Sequence, residues 1–166
     1  MNDAIRSLFP AANQYTYLNS AAVSPIPATA IEAINRQLNE VASSGSMPFQ
    51  DWVDTKDRCR MLVATMLNVR PDQVAFMRNT SDGLASIANG IKWQQGDNIV
   101  SFANEFPANF YPWRRIRDEF GVELRLAAEH GGRIDTDELV GLIDSNTRVV
   151  ALSAVPYVML AALLHV

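Results

Sequence analysis

From residue 72 onward, short apolar runs alternate with stretches of helical periodicity, and that alternation limits the fold more than any other feature. The runs are "VAFM" (74–77), "NIVSF" (98–102), "VELRLAA" (122–128) and "RVVALSAV" (148–155). Between them, Leu84, Ile87, Ala88 and Ile91 recur at helical spacing, as do Phe110, Trp113, Ile116 and Phe120. "IDTDELVGLI" (134–143) supplies a third helix, capped by Asp135 or Thr136. Strand–helix–strand order of this kind builds a mostly parallel sheet with covering helices, so the fold class is α/β. Ligands of such sheets sit beyond the carboxyl ends of the strands. Two polar motifs follow strand ends here, "RNTSDG" (78–83) and "EFPAN" (105–109), and the topology predicts that they face one cleft.

The first part of the chain reads differently. "YTYLNSAAVSPIP" (15–27) begins as a short strand and becomes a Pro-punctuated loop. Pro27 suits a first helical turn. Ile31, Ile34, Leu38 and Val41 then recur at helical spacing until "SSGS" (43–46). Phe49, Trp52, Cys59, Val63 and Met66 mark one stripe of a second helix. The expected organisation is a strand, loop and helical segment over 1–71, an α/β segment over 72–155, and an atypical apolar tail over 156–166.

A length of 166 residues is that of one domain, and 48% hydrophobic residues suffice for a core. Net charge is −4, without a long basic run, which excludes nucleic acid as the expected partner. "WRRIR" (113–117) is followed by Asp118 and Glu119 and reads as a solvated helix face. Cys59 is the sole cysteine, so neither an internal disulfide nor a multi-cysteine metal site is expected. Its place on an apolar stripe predicts a buried structural thiol. A reducing, cytoplasmic location fits this cysteine usage. "MNDAIRSLFP" lacks the order of a secretion signal. The apolar end, "VVALSAVPYVMLAALLHV", contains Pro156 and falls short of the ~20 residues of a membrane span. No membrane association is expected.

Each motif allows two readings on its own. Thr80 and Ser81, at the start of a helix, either belong to a plain N-cap formed by Asn79 or Thr80, or hold an anion at the helix N-terminus. The glycine spacing of a Walker loop is absent. Phe106 either seals the sheet edge or stacks on a flat cofactor. Asn19, Ser20, Ala21 and Ala22 form either an ordinary turn or a small-residue loop that a ligand can approach. His130 and His165 have no paired ligands nearby, and no metal site is expected. Ser153 has no nucleophile elbow around it.

The order and spacing of four blocks go further. "YLNSAAVSPIP", "VAFMRNTSDGLASIANGI", "GDNIVSFANEFPANFYPWRRI" and "TRVVALSAV" together resemble the class V aminotransferase and cysteine desulfurase family. The likeness runs over roughly residues 15–155. It implies an incomplete fold-type I large domain and pyridoxal 5′-phosphate as cofactor. It further implies that Thr80 and Ser81 bind the cofactor phosphate. Phe106, where many relatives carry histidine, would stack on the pyridine ring, and Asn19 to Ala22 would line the substrate end of the cleft. The implied reaction begins at the Cα of an amino acid or amine, by transamination, β-elimination, desulfuration or epimerisation. Family members are dimers, so a homodimer or association through the exposed sheet is expected.

Two family elements have no counterpart. The Schiff-base lysine and the pyridine-binding aspartate come after "TRVVALSAV" in the family. The only lysines here are Lys56 and Lys92, and neither has the family's lysine context. The expectation is therefore the N-terminal part of a pyridoxal-phosphate enzyme, inactive as this short chain, with no catalytic residue of its own. The alternative is a non-catalytic α/β module that binds a phosphorylated ligand or a partner chain.

Overall fold

The computed structural model describes residues 3–20, 23–130 and 133–154. The chain divides into two compact units, Met1–Ala75 and Phe76–Val166, rather than the one domain its length suggests. The apolar tail over 156–166 lies outside the described residues.

The first unit is helical. A short helix α1 (Asp3–Arg6) and a 3-10 turn (Pro10–Asn13) precede α2 (Ala28–Ser44) and α3 (Phe49–Leu67). Pro27 is the N-cap of α2, one position before the first turn expected for it. Gly45 ends α2 at φ 57°, a left-handed value that glycine adopts without a Cβ clash. Trp52 Nε1 donates to Glu40 Oε2 at 3.2 Å and ties α3 to α2. Three expectations fail here. Tyr15–Leu18 pairs with no strand among the described residues. Cys59 is exposed, not buried. Ile31, Ile34, Leu38 and Val41 of α2, with Phe49 and Met66 of α3, are also exposed. The periodicity marks faces that suit burial, and of these two helices only Ala64 is buried.

The second unit carries the sheet. Helix α4 (Thr80–Gly90) leads to β1 (Asn98–Phe102), α5 (Pro107–Phe120) and β2 (Glu123–Ala127). A two-residue antiparallel pair follows, β3 (Glu129–His130) with β4 (Arg133–Ile134), then α6 (Thr136–Gly141) and β5 (Thr147–Val150). The sheet order is β2-β1-β5, and both pairings are parallel. Asn98 stands opposite Glu123 and Phe102 opposite Ala127. All five β1 residues are buried, as expected of a central strand covered on both faces. β5 alternates between half-buried and exposed residues, as a strand covered on one face does. "VAFM" is not a β-strand, because no ladder partner exists for it among the described residues.

Ala88, Ile99, Trp113, Ile116, Val122 and Ala151 form the core, with Leu84, Trp93, Leu124 and Val149 packed on it. Full burial of a side chain such as Ile99 or Ile116 contributes about 1.5–3 kcal/mol. Trp93 closes the end of α4 by donating Nε1–H to the Ala88 carbonyl at 2.9 Å. Helix α5 begins at Pro107 and runs through the buried Pro112. Pro107 presets the first turn, and Gly121 stops the helix at φ 66°. Phe120, expected inside, is exposed. The "WRRIR" face is solvated as expected: Arg114 and Arg117 pair with Asp118, and Arg115 with Glu119.

Candidate functional site

The carboxyl end of the sheet is where the two polar motifs arrive. Asn79 caps α4, its side chain accepting from Asp82 N–H at 2.9 Å. Arg78 grips the Asp82 carboxylate through two hydrogen bonds of 3.2 and 3.1 Å. This side-chain bond holds the Asp82 carboxyl below its ordinary range and raises Arg78 above its own. The acid in the first turn is thus neutralised by its neighbour and leaves the helix N-terminus hospitable to an anion.

Capping by Asn79 leaves Thr80 and Ser81 uncommitted. Both are exposed, and neither hydroxyl has a hydrogen-bond partner among the described residues. They sit in the first turn, where backbone N–H groups have no intrahelical acceptor. The cap and the anion readings are therefore compatible: one residue closes the helix, and the next two offer donors.

Thr80 lines a cleft of about 420 Å³ with Leu84, Asn109, Trp113 and the exit of β5, Ala151 to Ser153. Asn109, nearly fully buried, accepts from Trp113 Nε1 at 3.1 Å through Oδ1. The buried Ser101 hydroxyl donates to the Ala151 carbonyl at 2.8 Å and holds β5 to β1 at this end. Phe106 is the N-cap of α5, just beyond β1. It is 48% exposed, so it does not serve as a simple seal of the core. It is not among the residues that line the cleft beside Thr80.

The remaining expected residues fall elsewhere. Asn19 and Ser20 are exposed loop residues of the first unit, and Ala21 and Ala22 lie outside the described residues. His130 is in β3, 3.4 Å from Glu138. Among the described residues no group of three His, Cys, Asp or Glu stands close enough to hold a metal ion. No described helix is long and apolar enough to cross a membrane.

One residue of this end escaped the sequence reading. Glu105 is 8% exposed and binds both Phe106 and Ser153. Only its place between a strand end and a helix start could have singled it out.

The family described as Aminotransferase class-V matches residues 16–159. A probable cysteine desulfurase of Methanothermobacter thermautotrophicus is 28% identical over 90% of this chain and 38% of its own length. A cysteine desulfurase of Cronobacter sakazakii is 29% identical over 93% of this chain and 42% of its own. The chain thus spans about two-fifths of the curated relatives it matches. Among solved structures, the protein C-DES with glycine covalently linked to its PLP cofactor superposes with a TM-score of 0.82 at 23% identity. That match covers 95% of this chain and 45% of the other. The apo cysteine desulfurase of Thermococcus onnurineus gives 0.69 at 21% identity, over 92% and 40% of the two chains. These two likenesses show the fold, part of a fold-type I large domain with its parallel sheet. The match over residues 16–159 goes further, and by it the chain belongs to the aminotransferase class-V family, whose cofactor is pyridoxal phosphate.

Proposed function

We propose that this chain forms the phosphate-holding and ring-stacking part of a pyridoxal-phosphate-dependent enzyme that acts at the Cα of an amino acid or amine. One observation carries the reading: two adjacent hydroxyls, Thr80 and Ser81, stand exposed and without a hydrogen-bond partner among the described residues, at a helix N-terminus whose cap is a third residue. A phosphate dianion suits such a group of donors. The residues present fit the cofactor. Thr80, Ser81 and the N–H groups of their turn would hold the phosphate, and the half-exposed Phe106 would take a face of the ring. Bound there, pyridoxal phosphate would supply an electron sink for carbanion chemistry at Cα.

What this chain's own residues do is bind and orient. Arg78 screens Asp82 from the phosphate, and Asn79 fixes the first turn by accepting from Asp82 N–H. Within the second unit, Lys92 is not placed to join the cofactor covalently. Lys92 follows α4, whose 11 residues at ~1.5 Å each set it about 16 Å from the phosphate donors. Lys56 belongs to α3 of the first unit. The chain by itself is therefore a non-covalent holder without turnover. The exposed Val150 and Leu152, at and just past β5, leave apolar surface that supports association there.

The test is reductive trapping. The chain is incubated with pyridoxal phosphate, reduced with borohydride, digested, and searched for a labelled peptide by mass. The expected outcome is saturable binding without stoichiometric label. Full label on Lys56 or Lys92, lost when Thr80 and Ser81 become alanine, would show that the chain completes a covalent site on its own.

A further inference from the structure

We propose that Glu105 is a positioning residue of the candidate cofactor site, acting through Phe106 and Ser153 rather than by touching a ligand. The inference rests on the reading that Phe106 takes the cofactor ring.

An acid is rarely buried unless its oxygens are satisfied, and Glu105 is 8% exposed at the carboxyl end of the central strand. Its Oε1 accepts from Phe106 N–H at 2.7 Å and from the Ser153 hydroxyl at 2.5 Å. Its Oε2 accepts from Ser153 N–H at 2.8 Å. Among the described residues no Lys, Arg or His forms an ion pair with it. The carboxylate is held by donors alone, two of them backbone N–H groups that cannot reverse their polarity.

That pattern explains the residue type. A glutamine here would turn its NH2 against one backbone N–H or the other, whichever way the amide lay. An aspartate is one methylene short of the same reach. Only an acceptor with two free oxygens at glutamate's length satisfies both strand exits at once. The result is one clamp between residues 48 apart in sequence. On one side it fixes the N-cap of α5, and with it the backbone that carries the half-exposed ring. On the other it fixes Ser153, which lines the cleft shared with Thr80. Among the described residues no hydrogen bond links the hydroxyls of Thr80 and Ser81 to this clamp, so the site has a phosphate part and a ring part that can be perturbed separately.

The experiment is a double-mutant cycle read with two probes. Pyridoxal phosphate is titrated into the wild-type chain, Glu105→Gln, Phe106→Ala and the double variant, and inorganic phosphate is titrated in parallel by 31P NMR. Phe106→Ala should weaken pyridoxal phosphate about three- to tenfold, the scale of one lost ring contact. Glu105→Gln should match it, and the double variant should be no weaker than either single one. Inorganic phosphate should bind all four alike. Wild-type affinity in Glu105→Gln, losses that multiply in the double variant, or a parallel loss of inorganic phosphate would each overturn the proposal. Ser153→Ala guards against a folding defect. It removes one of the three bonds and should shift affinity in the same direction by less, with an unchanged thermal melt; no shift overturns the clamp. If Phe106→Ala binds as the wild type does, or the wild type binds no pyridoxal phosphate, the cofactor reading itself falls.

Discussion

The two ends of the parallel sheet are finished in opposite ways. At the amino end, Asn98 is completely buried, and each polar group of its side chain is used. Its Nδ2 donates to Asp144 at 2.8 Å, and its Oδ1 accepts from Thr147 at 2.7 Å. Arg125 donates to Asp144 at 2.7 Å and to the Leu142 carbonyl at 3.0 Å. These bonds gather β1, β2 and β5 where they begin. At the carboxyl end, one buried acid ties two strand exits, while Thr80, Ser81 and Phe106 face outward. A closed hydrogen-bond network stabilises; the open hydroxyls of Thr80 and Ser81 serve a ligand on the proposed reading. The difference teaches where to separate stability from binding in this molecule.

The largest expected effect is at the closed end. Asn98→Ala strands the groups it serves on Asp144 and Thr147 and should cost about 2–3 kcal/mol in urea unfolding. Pyridoxal phosphate affinity, measured where the variant is folded, should not change. A loss of affinity equal to the loss of stability would break the comparison.

Asn79→Ala comes next, because it removes the cap of α4. About 1 kcal/mol should be lost in the same unfolding assay. Here the two ends should differ: the freed first turn also loosens Thr80 and Ser81, so phosphate affinity should fall as well.

Acid should act on the closed end through Asp144. Arg125 foremost, then Asn98 and the Asn146 N–H, hold the Asp144 carboxyl down to about 2 from an ordinary 3.8. The folded pKa is the depressed one, so this contribution is fully present above pH 3.8 and is lost as pH falls toward 2. With 41% of the Asp144 side chain in water, screening keeps the effect below that of Asn98→Ala. Urea midpoints of the wild type and Asp144→Asn, compared at pH 5 and pH 2.5, should converge at the lower pH. A constant gap would remove Asp144 from the account.

The smallest effect on stability belongs to the open end. Phe106→Ala should change the urea midpoint by no more than about 0.5 kcal/mol, since half the ring already meets solvent. A cost above 2 kcal/mol would return Phe106 to the role of a core seal.

How far the sequence reveals these two ends depends on how local the signal is. The helical stripe Trp113–Ile116 and the stop at Gly121 are written within a few residues and are found as read, and of the two caps open for each helix the structure uses Asn79 and Asp135. "VAFM" and "YTYL" have the composition of strands, but a strand also needs a neighbour, which no local pattern supplies. Cys59 and Phe120 lie on apolar stripes, and a stripe names the face to be covered without providing the cover. The least legible residues are the buried polar ones. Asn98 meets its partner Asp144 at a separation of 46 residues, and Glu105 meets Ser153 at 48. Composition places such side chains outside, and only tertiary pairing brings them in.

The central claim is that the open carboxyl end takes the phosphate of pyridoxal phosphate on Thr80 and Ser81. The most direct measurement is a calorimetric titration of pyridoxal phosphate and of pyridoxal into the wild-type chain and into the Thr80→Ala, Ser81→Ala double variant. The account predicts that the wild type prefers the phosphorylated form by at least tenfold, the scale of one charge-assisted hydrogen bond of roughly 1.5–3 kcal/mol. The double variant should lose that preference while its urea midpoint stays in place. Equal affinity of the two chains for pyridoxal phosphate, with the preference intact in the variant, would contradict the account and move the phosphate away from the start of α4.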